Sequence, residues 1–411
     1  MRPPSSSSFR AATRARLLLT RLTGAPLRRH VCVSASRLLL SDGGGGGTSQ
    51  DLDLDLDEYM RSARAALADP SRAKVVPDCL SPTPSHLLRL SLAGHTPDSL
   101  PPDDEGRMPL GHHMVYFPPQ IPQALLMPDG TDADHCPGYP FVRRMWAGGS
   151  IAFSPDWEED FRLDGRKAVC VETVGEPVLK PGTGSGEDKV FVDVRRQYGL
   201  LSRDGTLPTS SSGGEGGGSG NGVVIDETRR LVFLKERPHT SQTHTQPTPD
   251  GTATQNGNTG SVKGLIEKGP SERREADFGF SLKPDAKLLF HFSALTFNAH
   301  AIHLDTNYAK NIEGHKDLLV HGPLTLVLML TALNQIKQQE GVGVVRSIDY
   351  RNLAPLYVGD EIRVCVKKQS NTKGGGGENE KKNRWNVWIE GPGGRLAVKG
   401  TAVTVATSRG E

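Results

Sequence analysis

The chain has 411 residues with 36% apolar, 47 Gly and 29 Pro, a composition for two folded units interrupted by polar segments rather than one compact unit. Its near-neutral balance of 49 Lys and Arg against 47 acids hides an asymmetry: residues 1–41 hold eight Arg and no acid, leaving 41 basic and 47 acidic residues beyond them. That argues against a basic nucleic-acid-binding surface over the whole body, and no uninterrupted apolar run of about 18 residues exists to span a membrane. The five Cys are scattered with no CxxC, which supports neither a zinc knuckle nor a disulfide framework.

Residues 1–41, rich in Arg and Ser, have the make-up of a mitochondrial presequence, with Arg10, Arg14 and Arg21 flanking leucines in a short amphipathic helix. Residues 42–79 follow as an acidic lead-in and a helix over Asp57–Ala68. An N-terminal unit is expected over 80–237. It opens with a Leu-rich segment whose helix entry is Thr83-Pro84-Ser85, followed by a stretch without strong periodicity at 101–145. That stretch is too long for an idle loop, and its aromatics argue against disorder. From Ser150 onward the texture turns to β-branched and alternating strands. Polar, Gly-rich breaks at 203–222 and 238–275 read as disordered insertion and linker, and 370–383 as an enlarged hairpin tip.

The C-terminal unit, 276–407, begins with an expected strand over Asp285–Phe297, then NAHAIHLDTNYAKN and a turn at 313–317. Gly322 and Pro323 suit the start of a helix. From Leu324 to Leu333 only Thr325 and Thr331 are polar, so that helix should be buried on nearly all sides. Four strands follow. One buried helix wrapped by antiparallel strands makes the class α+β.

Asn298, His300, His303 and Asp305 form the densest polar group beside an apolar stretch. Three chemistries fit them: a metal site on His300, His303 and Asp305, imidazoles satisfied by neighbouring backbone at a corner, or acid–base catalysis by one His. Spacing alone leaves all three open.

The run F-x-x-L-T-F-N-A-H-A-I-H-x5-A resembles the signature of MaoC-like enoyl-thioester hydratases and dehydratases, which have hotdog folds. Phe292, Leu295, Thr296, Ile302, His303 and Ala309 fall on matching positions, and LLVHGPLT is similar to that family's entry to its central helix. Four positions depart: Phe297 for Gly, Asn298 for the usual catalytic Asp, His300 for Asn and Ala301 for Pro. The departures are shared with the fungal mitochondrial hydroxyacyl-thioester dehydratase type 2 branch, related to mesaconyl-C4-CoA hydratases. That branch is also similar to this chain over GHHMVYFPP, LLMPDGTD and PFVRRMWAGGS.

The resemblance implies a double hotdog, two antiparallel sheets each wrapping a helix, with a degenerate N-terminal unit and catalysis in the C-terminal one. This would be a pseudo-dimer within one chain, or a homodimer. The implied reaction removes water from a 3-hydroxyacyl thioester, on acyl carrier protein or CoA, in mitochondrial fatty acid synthesis in the matrix. The alternatives are a mesaconyl-CoA or enoyl-CoA hydratase and a non-catalytic acyl-thioester binder. His303 would be the base, Asn298 its partner and Gly322 N–H the oxyanion donor. Arg143, Arg144, Trp146, His300 and His321 would contact the substrate. No cofactor and no metal are implied.

Overall fold

Asp55 opens the first helix. Its carboxylate accepts the amides of Asp57 and Glu58, and Met60, Ala63 and Leu67 then fall on one buried face of α1 (Leu56–Leu67). The computed structural model describes residues 55–97, 106–183, 187–201, 222–237, 274–340, 343–370 and 382–406. The expected presequence and nearly all of the insertions at 203–222, 238–275 and 370–383 lie outside the described residues.

After α1 come β1 (Lys74–Cys79), α2 (Pro82–Leu92), β2 (Phe141–Phe153), the single turn α3 (Trp157–Asp160), β3 (Lys167–Val174), β4 (Val178–Lys180), β5 (Lys189–Leu200) and β6 (Ile225–Lys235). The second half contains β7 (Phe278–Leu282), α4 (Ala286–Thr296), α5 (Gly322–Glu340), β8 (Val344–Asn352), β9 (Ile362–Lys368), β10 (Lys382–Glu390) and β11 (Leu396–Val405).

The eleven described strands form one sheet of order β1-β3-β5-β6-β2-β8-β11-β10-β9-β7, with the short β4 beside β5. Each half has the same order. Its first strand lies at the outer edge, then the third, fourth and fifth in register, and the second strand innermost; helical segments fill the interval between first and second. This duplicated antiparallel arrangement is the double hotdog. The expected separate sheets are joined edge to edge, because β2 pairs antiparallel with β8 from Gly148↔Arg351 to Ala152↔Ser347. Joining the innermost strands removes two exposed edges that would otherwise attract other chains.

α5 lies in the core. Leu324, Leu326, Val327, Leu328, Met329 and Leu330 are fully buried, and removing one such leucine side chain costs about 2–5 kcal/mol. The two hydroxyls in this apolar run are satisfied by the helix itself: Thr325 Oγ1 donates to Gly322 O at 2.6 Å and Thr331 Oγ1 to Val327 O at 2.9 Å. Among the described residues, the N-terminal half has no helix of this length between its first two strands. α2 and a 3₁₀ turn at His112–Val115 take its place, which is what makes that half degenerate.

Two expectations change. Residues 285–297 are not a strand but α4: Asp285 caps it by accepting the Leu288 amide at 2.8 Å, and Leu288, Leu289 and Phe292 share its buried face. The dense apolar run hid a helical period that the Pro284-Asp285 start reveals. The first strand of the N-terminal sheet to follow the long aperiodic stretch begins at Phe141 rather than near Ser150. Residues 142–147 are half-buried on both faces of the strand, so no alternation marks its start.

Candidate active site

α4 ends at Phe297, whose left-handed backbone (φ 52°) turns the chain so that Asn298 N–H returns to Ser293 O at 2.8 Å. Asn298 Oδ1 then accepts the His300 amide at 3.0 Å. An N–H partner fixes the oxygen on that side, so the side chain presents its NH₂ as a donor.

His303 sits in the 3₁₀ turn that follows and is buried. Its Nδ1 lies 2.8 Å from Leu319 O. A carbonyl only accepts, so Nδ1 carries the proton and Nε2 keeps its lone pair. Burial lowers the His303 pKa to about 4, against the opposing hydrogen bond to Leu319, with Arg144 and His315 adding to the depression. The ring is therefore a neutral base at pH 7.

His321 stacks on it, 3.7 Å between ring centroids and 22° between planes. Ser293 Oγ, 2.9 Å from Nε2, holds this second imidazole, and its buried Nδ1 has no partner among the described residues. His300 meets His303 edge-on at 5.5 Å. Burial first, and the neighbouring imidazoles next, hold both His300 and His321 well below the usual histidine range. His321 immediately precedes Gly322, so the start of α5 lies beside the base. The first amide tied back into the helix is that of Thr325, which donates to His321 O at 3.1 Å; Gly322 N–H lies ahead of that ladder, where amides point outward and the dipole favours negative charge. A Cβ on Gly322 would fall 2.6 Å from Trp146 Cβ and 3.0 Å from Asn352 Nδ2. Trp146 is itself held by its Nε1, which donates to Tyr350 Oη at 2.8 Å.

The loop at 127–135 clamps this constellation, a role the residue-type search missed. Asp129 O accepts the Ala301 amide at 2.8 Å. Gly130 (φ 82°) lets the chain come so near that a Cβ there would stand 2.0 Å from Ala299 O. Behind it Asp132 accepts from Arg144 Nη1 at 2.9 Å and pairs with His135 at 3.0 Å, while the other nitrogen of His135 lies 2.9 Å from Glu172. Burial alone would lower His135; the two carboxylates outweigh it and raise the ring to about 9. Three acids and a His within eight residues, MPDGTDADH without its first residue, were the available signal.

The structure thus brings together Asn298, His300, His303, His321, Gly322 and Trp146. Arg143 and Arg144 are engaged elsewhere: Arg143 Nε donates to the buried Glu313 at 2.7 Å, and Arg144 holds Asp132. Neither is open to a pantetheine phosphate, although the Arg144 charge reaches His300 and His303. Asp305, the third member of the metal reading, is exposed and accepts the Tyr308 amide at 3.0 Å. Among the described residues no three His, Cys, Asp or Glu side chains are arranged so that they could hold a metal ion. The other His pair, His112 and His113, is buried in the N-terminal half, where Ser85 Oγ lies 2.7 Å from His112 Nδ1.

Residues 111–358 match the family model for hydroxyacyl-thioester dehydratase type 2. The chain is 26% identical over 307 residues to a mesaconyl-C(4)-CoA hydratase of Chloroflexus aurantiacus, covering 74% of this chain and 86% of that protein. It is 25% identical over 306 residues to the mitochondrial hydroxyacyl-thioester dehydratase type 2 of Schizosaccharomyces pombe, covering 73% and 92%. A solved MaoC-like dehydratase superposes with a TM-score of 0.50 at 12% identity, covering 83% of this chain and 99% of that one. Since the matched segment runs from the 3₁₀ turn of the first half through the loop of Asn298 and His303 to β8 and beyond, the chain belongs to the hydroxyacyl-thioester dehydratase type 2 family.

Proposed function

We infer that the chain is a hydro-lyase that converts 3-hydroxyacyl thioesters to trans-2-enoyl thioesters, with His303 as its base. The observation that carries this reading is the Nδ1 contact of His303 with Leu319 O, which leaves Nε2 unprotonated beside the start of α5. Nε2 takes the α-proton; the electron pair moves toward the thioester oxygen, where the negative charge develops. Gly322 N–H and the dipole of α5 face that charge. As the C3–O bond breaks, the imidazolium returns the proton to the departing hydroxide on the same face, and water leaves. Asn298 cannot titrate, so it is no acid or base; its NH₂ holds the hydroxyl in line.

The same steps run backward hydrate an enoyl thioester, and the mesaconyl-C(4)-CoA hydratase relative favours that direction as a second reading. The carrier is a protein or CoA. We place the enzyme in the mitochondrial matrix on the Arg-rich, acid-free residues 1–41 and on the mitochondrial naming of the yeast relative. Sequencing the N-terminus of protein isolated from mitochondria tests it: a mature chain shortened within 29–41 is expected, and a cytosolic chain starting at Met1 overturns it.

The test of function is turnover of 3-hydroxyacyl-CoA substrates of several lengths. His303→Ala should lose roughly 10²–10⁴-fold in kcat, Asn298→Ala less, and Asn298→Asp should stay active. A His303→Ala enzyme at near-parent rate would reduce the protein to an acyl-binding scaffold.

A further inference from the structure

α2 and α4 pack against each other, and each buries one face in the shared core through Leu88 and Leu92 on α2, and Leu288, Leu289 and Phe292 on α4. Their outer faces are unusually apolar. Leu87 is 43% exposed, Leu90 59%, Phe290 60% and Phe297 64%. Scattered single apolar residues on a surface need no explanation, but three large ones on two adjoining helices and a fourth at the C-cap of α4 make a set of the kind that marks an interaction site. Phe297 adds a second observation. It is a bulky residue in the left-handed region (φ 52°), a conformation that costs about 1 kcal/mol or more without glycine, and its ring is turned outward rather than packed.

The charge on these helices has one sign. Neither α2 nor α4 contains Asp or Glu, while His86 and Arg89 lie on α2 and Lys287 and His291 on α4, with Lys283 just before it. Asp285, the nearest acid in sequence, is committed to the α4 cap. Lys283 and Lys287 are exposed, and no carboxylate among the described residues bridges to them. Interleaved cations and large apolar side chains fit an amphipathic helix with carboxylates along its flanks. The position matters too: α4 runs directly into Phe297, Asn298 and the catalytic loop, so a partner seated here would be beside the place where a thioester must arrive.

We propose that the joint outer face of α2 and α4 is the docking surface for an acidic, helical thioester-carrier protein that delivers the acyl group to His303. This deepens the functional reading above and rests on it. Lys283 and Lys287 steer the partner's carboxylates, and Leu90 and Phe290 supply the apolar anchor.

The test compares the same 3-hydroxyacyl group carried on acyl carrier protein and on CoA, in the full-length enzyme. Lys283→Glu with Lys287→Glu, and separately Phe290→Ser, should lower kcat/KM for the protein-borne substrate by about ten-fold or more through KM, and leave the CoA substrate within about two-fold. Raising salt should weaken the protein-borne reaction of the parent and flatten in the charge-reversed enzyme. Equal losses on both substrates, or no loss on either, overturn the docking surface while leaving a working dehydratase. A parent enzyme inactive on both substrates defeats the functional reading instead. A parent that is a dimer in solution and becomes a monomer on Phe290→Ser overturns the proposal in favour of a second copy of this chain on that face.

Discussion

The protonation state of His303 rests on one backbone carbonyl and on burial. With its pKa lowered to about 4, the ring stays neutral far below the unperturbed value of about 6.5. The pH profile of kcat/KM should therefore be flat from about pH 5 upward, with its acid limb near 4 instead of 6.5. A limb centred between 6 and 7 would place another titrating group on the proton path. The same burial has a stability sign. Below about pH 6.5 the unfolded chain binds protons at His300, His303 and His321 that the native site refuses. The stabilisation from neutral imidazoles is thus present above that pH and is lost as pH falls toward 4. At this scale Asn298 is the departure that replaces a titratable carboxyl with an amide. Its carbonyl accepts the His300 amide, a bond that an aspartate oxygen would also accept, which is why Asn298→Asp is expected to keep the loop in place.

Among the elements, the loop at 127–135 and the strands behind it behave as one electrostatic unit. His135 sits between Asp132 and Glu172, and Glu172 lies 3.1 Å from Arg196. His135 is raised to about 9 against about 6.5 when unfolded. Its charge therefore stabilises fully below about pH 6.5, and the contribution, on the order of 3 kcal/mol, is lost as pH rises through 9. Melting temperature measured from pH 6 to 10 should fall over the upper half of that range in the parent. In His135→Gln it should start lower and lack that alkaline fall; an unchanged alkaline limb would show that another group sets it. Because this unit carries the Asp129 carbonyl that receives Ala301 N–H, its loss should lower turnover before the fold gives way. The element-level surprise was α4. Its 288–292 stretch is a short apolar run that passes for a strand, and only the cap at Asp285 and the core beneath Leu288 and Phe292 decide for a helix.

Over the whole molecule, the two halves share one sheet and one apolar core running from Val76 to Ala402. The strands on either side of two insertions pair directly: β5 with β6 from Lys189↔Leu234 to Tyr198↔Ile225, and β9 with β10 from Lys368↔Trp385 to Arg363↔Glu390. Register is therefore set by the strands and not by what links them, and shortening a long link alters closure entropy only slowly. Deleting 205–221 and 372–381 together, which keeps Lys382 at the start of β10, should leave melting temperature and turnover near those of the parent. Loss of folding on deletion would mean that these segments pack against the sheet.

Part of the candidate site was legible in the sequence: spacing left three chemistries open for Asn298, His300 and His303, and the family signature singled out His303 and Asn298. The apolar run of α5 and the Gly322-Pro323 start are local patterns. Local patterns survive in sequence because each residue's periodicity and capping preference acts within a few positions. What remained hidden depends on contacts between residues far apart in the chain. No spacing rule announces that Leu319 O would choose the tautomer of His303, or that Asp129 would hold Ala301. Nor does one show that Arg143 and Arg144 would be engaged by Glu313 and Asp132 rather than by a ligand. The joining of β2 to β8 is of the same kind, since nothing within either strand names the distant edge it pairs with. Those choices belong to the tertiary structure, where burial decides which polar group must find a partner and packing decides which partner is within reach.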